Sequence, residues 1–342
     1  CIRDRGHTIG LPHNFGSSSA YPVDSIRSKT FTKKFGIAPS IMDYARFNYI
    51  AQPGDEGVSL VIDVGPYDKY STMWGYKPIL NKTAEEEKVI LNKWITERAD
   101  DLMFRFGSSS IDPSSQTEDL GNDAIKASNY GIANLKRIVP NLIEWTTEDG
   151  ENYEELQYLY GQVLSQFRRY LGHVSTNVGG VYQYYKTSDQ EGAVYTHVEK
   201  SHQKNCIKFL NKNLFETPTW MIDKNILDKI QFAGAVDQVR GLQSSYLNRI
   251  LDFGRLARVI ENEALNGSEA YSLDELMSDL KNGIFSELKN NANIDIYRRN
   301  IQRAFIQRLG YLMKENQSIP SFFRSSSSIT RVKVDESDIR LS

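Results

Sequence analysis

Cysteine is almost missing from this chain: Cys1 and Cys206 are the only two in 342 residues. Two thiols cannot make a disulfide framework, so the small disulfide-stapled classes are excluded, and the redox compartment is not readable from them. Long apolar runs are lacking too. None approaches the roughly 18 residues that mark a transmembrane helix, so no transmembrane segment is expected in the covered sequence. Excess charge of either sign is also missing, with 41 Lys and Arg against 43 Asp and Glu. A net charge of −2 gives no long-range attraction for polyanions. No basic cluster is interleaved with aromatics, and nucleic acid is not an expected partner. No internal repeat of fixed period is visible. The chain opens on Cys1, without an initiator methionine or a signal peptide, and reads as a piece of a longer protein.

What is present is a folding composition, 40% hydrophobic and 25% charged, long enough for two or three ordinary domains. The chemistry concentrates near the start, in RDRGHTIGLPHN, residues 3–14. His7 and His13 flank Gly10 there. A catalytic zinc takes three protein ligands and keeps one position open; two ligands four apart share one helical face. Positions 3 and 7 have that spacing. Gly10 can adopt the left-handed conformation that ends a helix and turns the chain back, which would bring His13 toward the same point. A second element follows at Ser40-Ile41-Met42-Asp43-Tyr44. A methionine there is ordinary core filling when taken alone; its order after the histidine pair gives it weight.

Together these residues resemble the metzincin zinc metalloproteases. G-H-x-x-G-x-x-H is the second half of their signature H-E-x-x-H-x-x-G-x-x-H, and SIMDY is similar to their Met-turn. More narrowly, GHTIGLPHNFGSSSAYPVDS, APSIMDYARFNYIAQPGD, GPYDKYSTMWGY, IDPSSQTEDLGNDAIKAS and NVGGVYQYYKT look like large bacterial extracytoplasmic zinc-dependent metalloproteases with flanking domains of unknown function. The resemblance implies a zinc-dependent hydrolase acting on peptide or protein substrates, with Zn2+ as cofactor and an extracytoplasmic location. It implies His7 and His13 as metal ligands, Gly10 as the turn, Met42 as an apolar floor and Tyr44 as a zinc or carbonyl partner. Two positions depart from it. Arg3 stands where the first histidine belongs, and a guanidinium has donors only and cannot ligate a cation. Asp4 stands where the glutamate base belongs and is one methylene shorter. An inactive pseudoprotease serving as a peptide- or partner-binding helical module is the alternative reading.

Residues 14–36, rich in Gly and Ser with a Pro, read as an irregular surface loop. Arg46, Asp55, Asp63 and Asp68 are candidates for substrate contacts or ion pairs, with a solvated surface role preferred. Thr83 to Glu86 forms a capping box that starts a helix, DLMFRFG reads as a short strand, and another helix begins within 117–139. Asp112, Glu118, Asp119 and Asp123 match no EF-hand spacing and read as caps and first-turn acids. Beyond residue 151 apolar residues recur at three and four: Tyr153 to Tyr170, Val236 to Leu256 and Ile294 to Leu312, with a capping box at Ser272 to Glu275. Residues 177–198 alternate and turn on glycines, and read as a hairpin or an excursion toward the catalytic part. His173, His197 and His202 lack ligand spacing and read as packed or surface histidines. The expected fold is mainly α, α+β overall: the C-terminal part of a metzincin catalytic domain over 1–110, a helical bundle over 111–320, and a linker over 321–342.

Overall fold

The computed structural model describes residues 2–108 and 111–314. The expected linker over 321–342 lies outside the described residues. The fold is mainly α, with one two-stranded sheet among the described residues. Residues divide into two compact units: 1–134 with 181–196, and 135–180 with 197–342. The first unit thus runs past residue 110, and it takes in most of the expected hairpin.

In the first unit, α1 (Ile2–Thr8) leads into a coil, followed by α2 (Val23–Ile26) and α3 (Lys29–Phe35). The segment expected to be a surface loop is therefore a core element. Tyr21, Val23 and Ile26 are buried with Ile37, Ala38, Ala45, Ile50 and Leu120, and Phe31 and Phe35 pack against them. Ser28 caps α3 through Phe31 N–H, and Gly and Ser between the apolar anchors permit the tight path. Then come α4 (Pro66–Tyr76) and α5 (Ala84–Thr96), the latter opened by the expected Thr83–Glu86 capping box. DLMFRFG is not a strand: Asp101 accepts from Met103 N–H and winds Leu102–Phe104 into a 3-10 turn. A capping aspartate outcompetes the alternation of the run. Helix α6 (Ala124–Ile138) follows Asp123, whose carboxylate accepts from Ile125 and Lys126 N–H. The sheet pairs β1 (Val181–Gln183) with β2 (Tyr195–His197), as the alternation predicts.

The second unit is helical: α7 (Leu142–Thr146), α8 (Glu154–Ser175), α9 (Lys200–Leu210), α10 (Lys224–Ile230), α11 (Ala235–Ile250), α12 (Phe253–Asn266), α13 (Leu273–Ile284), α14 (Ser286–Asn290) and α15 (Ile296–Leu312). Helix α8 packs on α7, α9, α10 and α11, and α11 packs on α15. The stripe from Val236 to Leu256 is two helices, because Asp252 accepts from Gly254 N–H and starts α12 anew. Phe167 and Leu171 of α8, Leu247 and Ile250 of α11 and Ile301 of α15 are completely buried.

Two buried arginines tie off backbone in this unit. Arg255 donates to the Ser175 and Val178 carbonyls at the end of α8, where helical carbonyls have no partner of their own. Arg298 donates to the carbonyls of Phe215, Gly283 (2.8 Å) and Ile284 (2.9 Å), and to both Glu287 oxygens. It therefore closes α13 and the π-helical segment Asn211–Phe215 together. Replacing Arg298 by Ala leaves the partly buried Glu287 without its cation and the Phe215, Gly283 and Ile284 carbonyls without their donor, and urea unfolding is expected to register a loss of about 3–5 kcal/mol.

The second capping box acts through charge as well as hydrogen bonds. A hydrogen bond from Lys200 holds the Glu275 carboxyl at about 2, below its ordinary 4.5. A depressed carboxyl stabilises the fold above the unfolded value, and that contribution is lost as pH falls from about 4.5 toward about 2. Thermal melts of Glu275→Gln across that window are expected to fall less steeply with acid than those of the parent chain.

Candidate metal centre

Helix α1 ends where the glycine requires it to. Gly10 N–H bonds the His7 carbonyl at 2.9 Å, Leu11 N–H bonds Gly6 at 3.0 Å, and Gly10 has φ +84°. A side chain is strained in that backbone region. The turn brings His13 back to His7, with ring centroids 4.6 Å apart and edge to face. The His7 Nδ1 lies 3.0 Å from the Leu11 carbonyl. With Nδ1 protonated as the donor, Nε2 keeps its lone pair, the arrangement a ligating imidazole uses. His13 stacks on Phe15 and meets Tyr44 at 4.7 Å. Burial first, then the His7 and Arg3 charges, lowers the His13 pKa from its ordinary value, so neutral imidazole is favoured.

Beneath α1 lies the turn Ser40–Tyr44. Its methionine is completely buried, and a Cβ on Gly6 would stand 2.5 Å from the Met42 sulfur. Asn14 N–H donates to the Met42 carbonyl at 3.0 Å, fastening the histidine segment to the turn. The Asn14 side chain spans outward, donating to the Arg105 carbonyl and accepting from Gly107 N–H, each at 2.9 Å. Tyr44 ends the turn in the left-handed conformation, φ 72°.

Asp68 holds this turn in shape. Its carboxylate accepts from Ser40 Oγ (2.6 Å), Ile41 N–H (2.9 Å) and Gly65 N–H (2.8 Å). It is buried, which corrects the expectation of a solvated charge. Burial raises its pKa while those three hydrogen bonds oppose the shift. Asp55 is paired with Arg27 at 2.6 Å, Arg46 with Glu118 at 3.1 Å, and Asp63 bonds Val64 N–H locally. Nothing local to the sequence marks Asn14. His173 is buried, His197 and His202 are partly exposed, and all three lie in the second unit.

Arg3, four residues before His7, brings a guanidinium to this corner. The Arg3 guanidinium lies 4.1 Å over the Tyr44 ring, and its Nη1 is buried without a hydrogen-bond partner. The His13 Nδ1 is likewise buried and unpartnered. Two imidazoles converge; the third group is a cation. Among the described residues, no three His, Cys, Asp or Glu side chains are grouped to hold a metal ion. A catalytic zinc requires three protein ligands, so the side chains present do not fit one.

A family model described as Met-zincin matches residues 2–292. The chain belongs to this family. No curated protein and no solved structure matches the chain. In this Met-zincin chain no helix among the described residues is long and apolar enough to cross a membrane. Membership carries the metallopeptidase class and the association with zinc.

The approach of α1 to its methionine is testable. Gly6→Ala is expected to cost about 1–3 kcal/mol in chemical denaturation, the usual range for overpacking. In a Met42→Ala background the same substitution should cost less, because the obstructing sulfur is gone.

Proposed function

We propose that this chain is a zinc metalloendopeptidase of metzincin type, built for peptide-bond hydrolysis by metal-activated water, whose zinc motif is degraded at Arg3 and Asp4. One observation carries the reading: His7 and His13 converge above a buried methionine that touches Gly6 of the helix bearing His7. In this reading His7 and His13 are metal ligands, Gly10 sets the turn between them and Met42 is the floor. Tyr44 meets the scissile carbonyl or the metal, Asp4 stands in for the base, and Arg3 disrupts the site. The family resemblance supports a bacterial, extracytoplasmic setting and a peptide or protein substrate.

The second reading is a catalytically inactive pseudoprotease that binds peptides or partners. It is favoured by the seat of Arg3, whose charge rests on the Tyr44 ring, an attractive contact that a desolvated site strengthens. A cavity of about 660 Å³ in the same unit, lined by Tyr67, Tyr70, Trp74, Phe104 and Arg98 among others, is apt for a peptide side chain under either reading.

Arg3→His with Asp4→Glu tests the metallopeptidase reading. Zinc content by metal analysis and casein cleavage are both expected to be absent or weak in the parent chain and to appear in the double variant. If the double variant holds no zinc, the metallopeptidase reading falls; if the parent holds zinc and cleaves, the motif is not degraded.

A further inference from the structure

The cavity of about 660 Å³ in the first unit has a chemistry of its own. One face of α4 lines it with Tyr67, Tyr70, Ser71 and Trp74, at the three- and four-residue spacing that puts side chains on one side of a helix. Asp68 leaves the same helix on another side, toward Ser40 and Ile41. Further rings come from Phe104 and Phe106, and from Tyr184 and Tyr185 in the loop between β1 and β2. None of His7, His13, Met42 and Tyr44 lines this cavity.

Its walls are braced. Tyr70 and Phe104 meet edge to face at 5.2 Å, and the Arg98 guanidinium lies over both, 4.9 and 5.4 Å from their centroids. Arg105 lies 4.8 Å over Tyr184 while its charge is met by Asp112. Phe106 packs against Tyr185 at 5.6 Å, and the Trp74 indole N–H donates to the Leu91 carbonyl at 3.3 Å. Rings held in this way lose little freedom when something binds. Trp74 and Tyr185 nevertheless expose 39% and 54% of their surface.

The polar groups among the rings decide what fits. Arg98 makes one long bond, 3.4 Å to the Trp94 carbonyl, and has no carboxylate partner among the described residues. The Tyr67 and Tyr70 hydroxyls have no hydrogen-bond partner among them either. A guanidinium has donors only and a phenol donates readily, so the spare capacity beside the rings calls for an acceptor. A proline-rich segment is one: in the polyproline II conformation its carbonyls are unpaired, proline has no N–H, and a stiff backbone loses little entropy on docking. Its rings also present polarised C–H groups to the negative faces of aromatic rings. Asp100, Asp189 and Glu191 line the same cavity and form no ion pair among the described residues. They offer partners to a basic residue.

We propose that this cavity is a docking site for a proline-rich peptide segment with a basic residue at one end. Tyr70, Trp74 and Tyr185 face the prolines, Arg98 donates to a peptide carbonyl, and the acids meet the basic residue. The volume is that of a pocket for a drug-sized ligand, more than one side chain fills. The proposal rests on the peptide binding common to both readings above and needs no zinc.

The test titrates the full chain, in EDTA, into the fluorescein-labelled peptide Arg-Pro-Pro-Ala-Pro-Pro-Ala-Pro and follows anisotropy. Saturable binding to one site per chain is expected, weakened roughly tenfold or more by Trp74→Ala and by Tyr185→Ala. Both rings are exposed, so each variant should keep the parent Tm. Replacing the peptide's prolines by serine should abolish binding. Replacing its arginine by alanine should weaken binding to the parent, and make no difference to a chain carrying Asp100→Asn, Asp189→Asn and Glu191→Gln. No saturable binding by the parent overturns the proposal, as does equal binding of the serine peptide. Binding unchanged in both ring variants also overturns it, by placing the peptide elsewhere. Binding of maltohexaose that both ring variants abolish, with none of the peptide, makes the cavity a saccharide site instead. Because no metal takes part, peptide binding survives a failure of the zinc reading, and its absence leaves that reading to the Arg3→His, Asp4→Glu experiment.

Discussion

The contact between Gly6 and the Met42 sulfur sets the terms for everything around the candidate metal centre. A helix can lie this close to a buried thioether only where it lacks a Cβ. That closeness fixes the height of His7 above the turn, and the Asn14 bond to Met42 fixes the return of His13. Asp68 then makes the turn itself rigid, collecting donors from Ser40, Ile41 and Gly65. Gly65 is as constrained as Gly6, for a Cβ there would sit 1.9 Å from the Pro39 carbonyl oxygen. Two glycines and one buried carboxylate thus build a platform on which the ring geometry of the histidines follows.

Much of this was legible in the sequence because it is local. The spacing of His7, Gly10 and His13 specifies a helix end and a reversal, and both appear with Gly10 at positive φ. Capping boxes at Thr83 and Ser272 open helices as their patterns require. The features that sequence reasoning missed depend on distant partners. Asp68 reads as a surface acid until Ser40 and Ile41, some 27 residues earlier, are brought to it. Asp119 reads as one of a run of caps, and its neighbour Asp123 is one; only burial distinguishes them. Residues 14–36 show loop composition, yet Tyr21, Val23 and Ile26 are spaced to anchor two short helices in the core. Where a polar side chain offers a nearer hydrogen bond, periodicity loses, as Asp252 shows by dividing one apolar stripe into two helices.

The helical unit solves a different problem with the opposite charge. Its helix ends are closed by guanidinium groups: Arg255 at the end of α8 and Arg298 at the end of α13. Arginine suits this because its planar fork offers several donors at once and carries its charge against the negative end of the helix dipole. Arg298 has a carboxylate partner in Glu287, whereas Arg255 is surrounded by backbone carbonyls. Each joins segments far apart in sequence, Arg298 reaching Phe215 from 83 residues away.

The chain leaves the first unit after residue 134, re-enters it for residues 181–196, and departs again. The unit that bears His7 and His13 is therefore not a segment that a single cut can release. On a ribosome it waits for the whole stretch 135–180 to emerge before its sheet can form, and closing that loop costs entropy before any contact repays it. Asp112 marks the seam, since its carboxylate receives Gln183 N–H from the late-arriving stretch at 3.0 Å. A nascent chain halted within α8 would hold both histidines and the methionine, and still lack the piece that completes their unit.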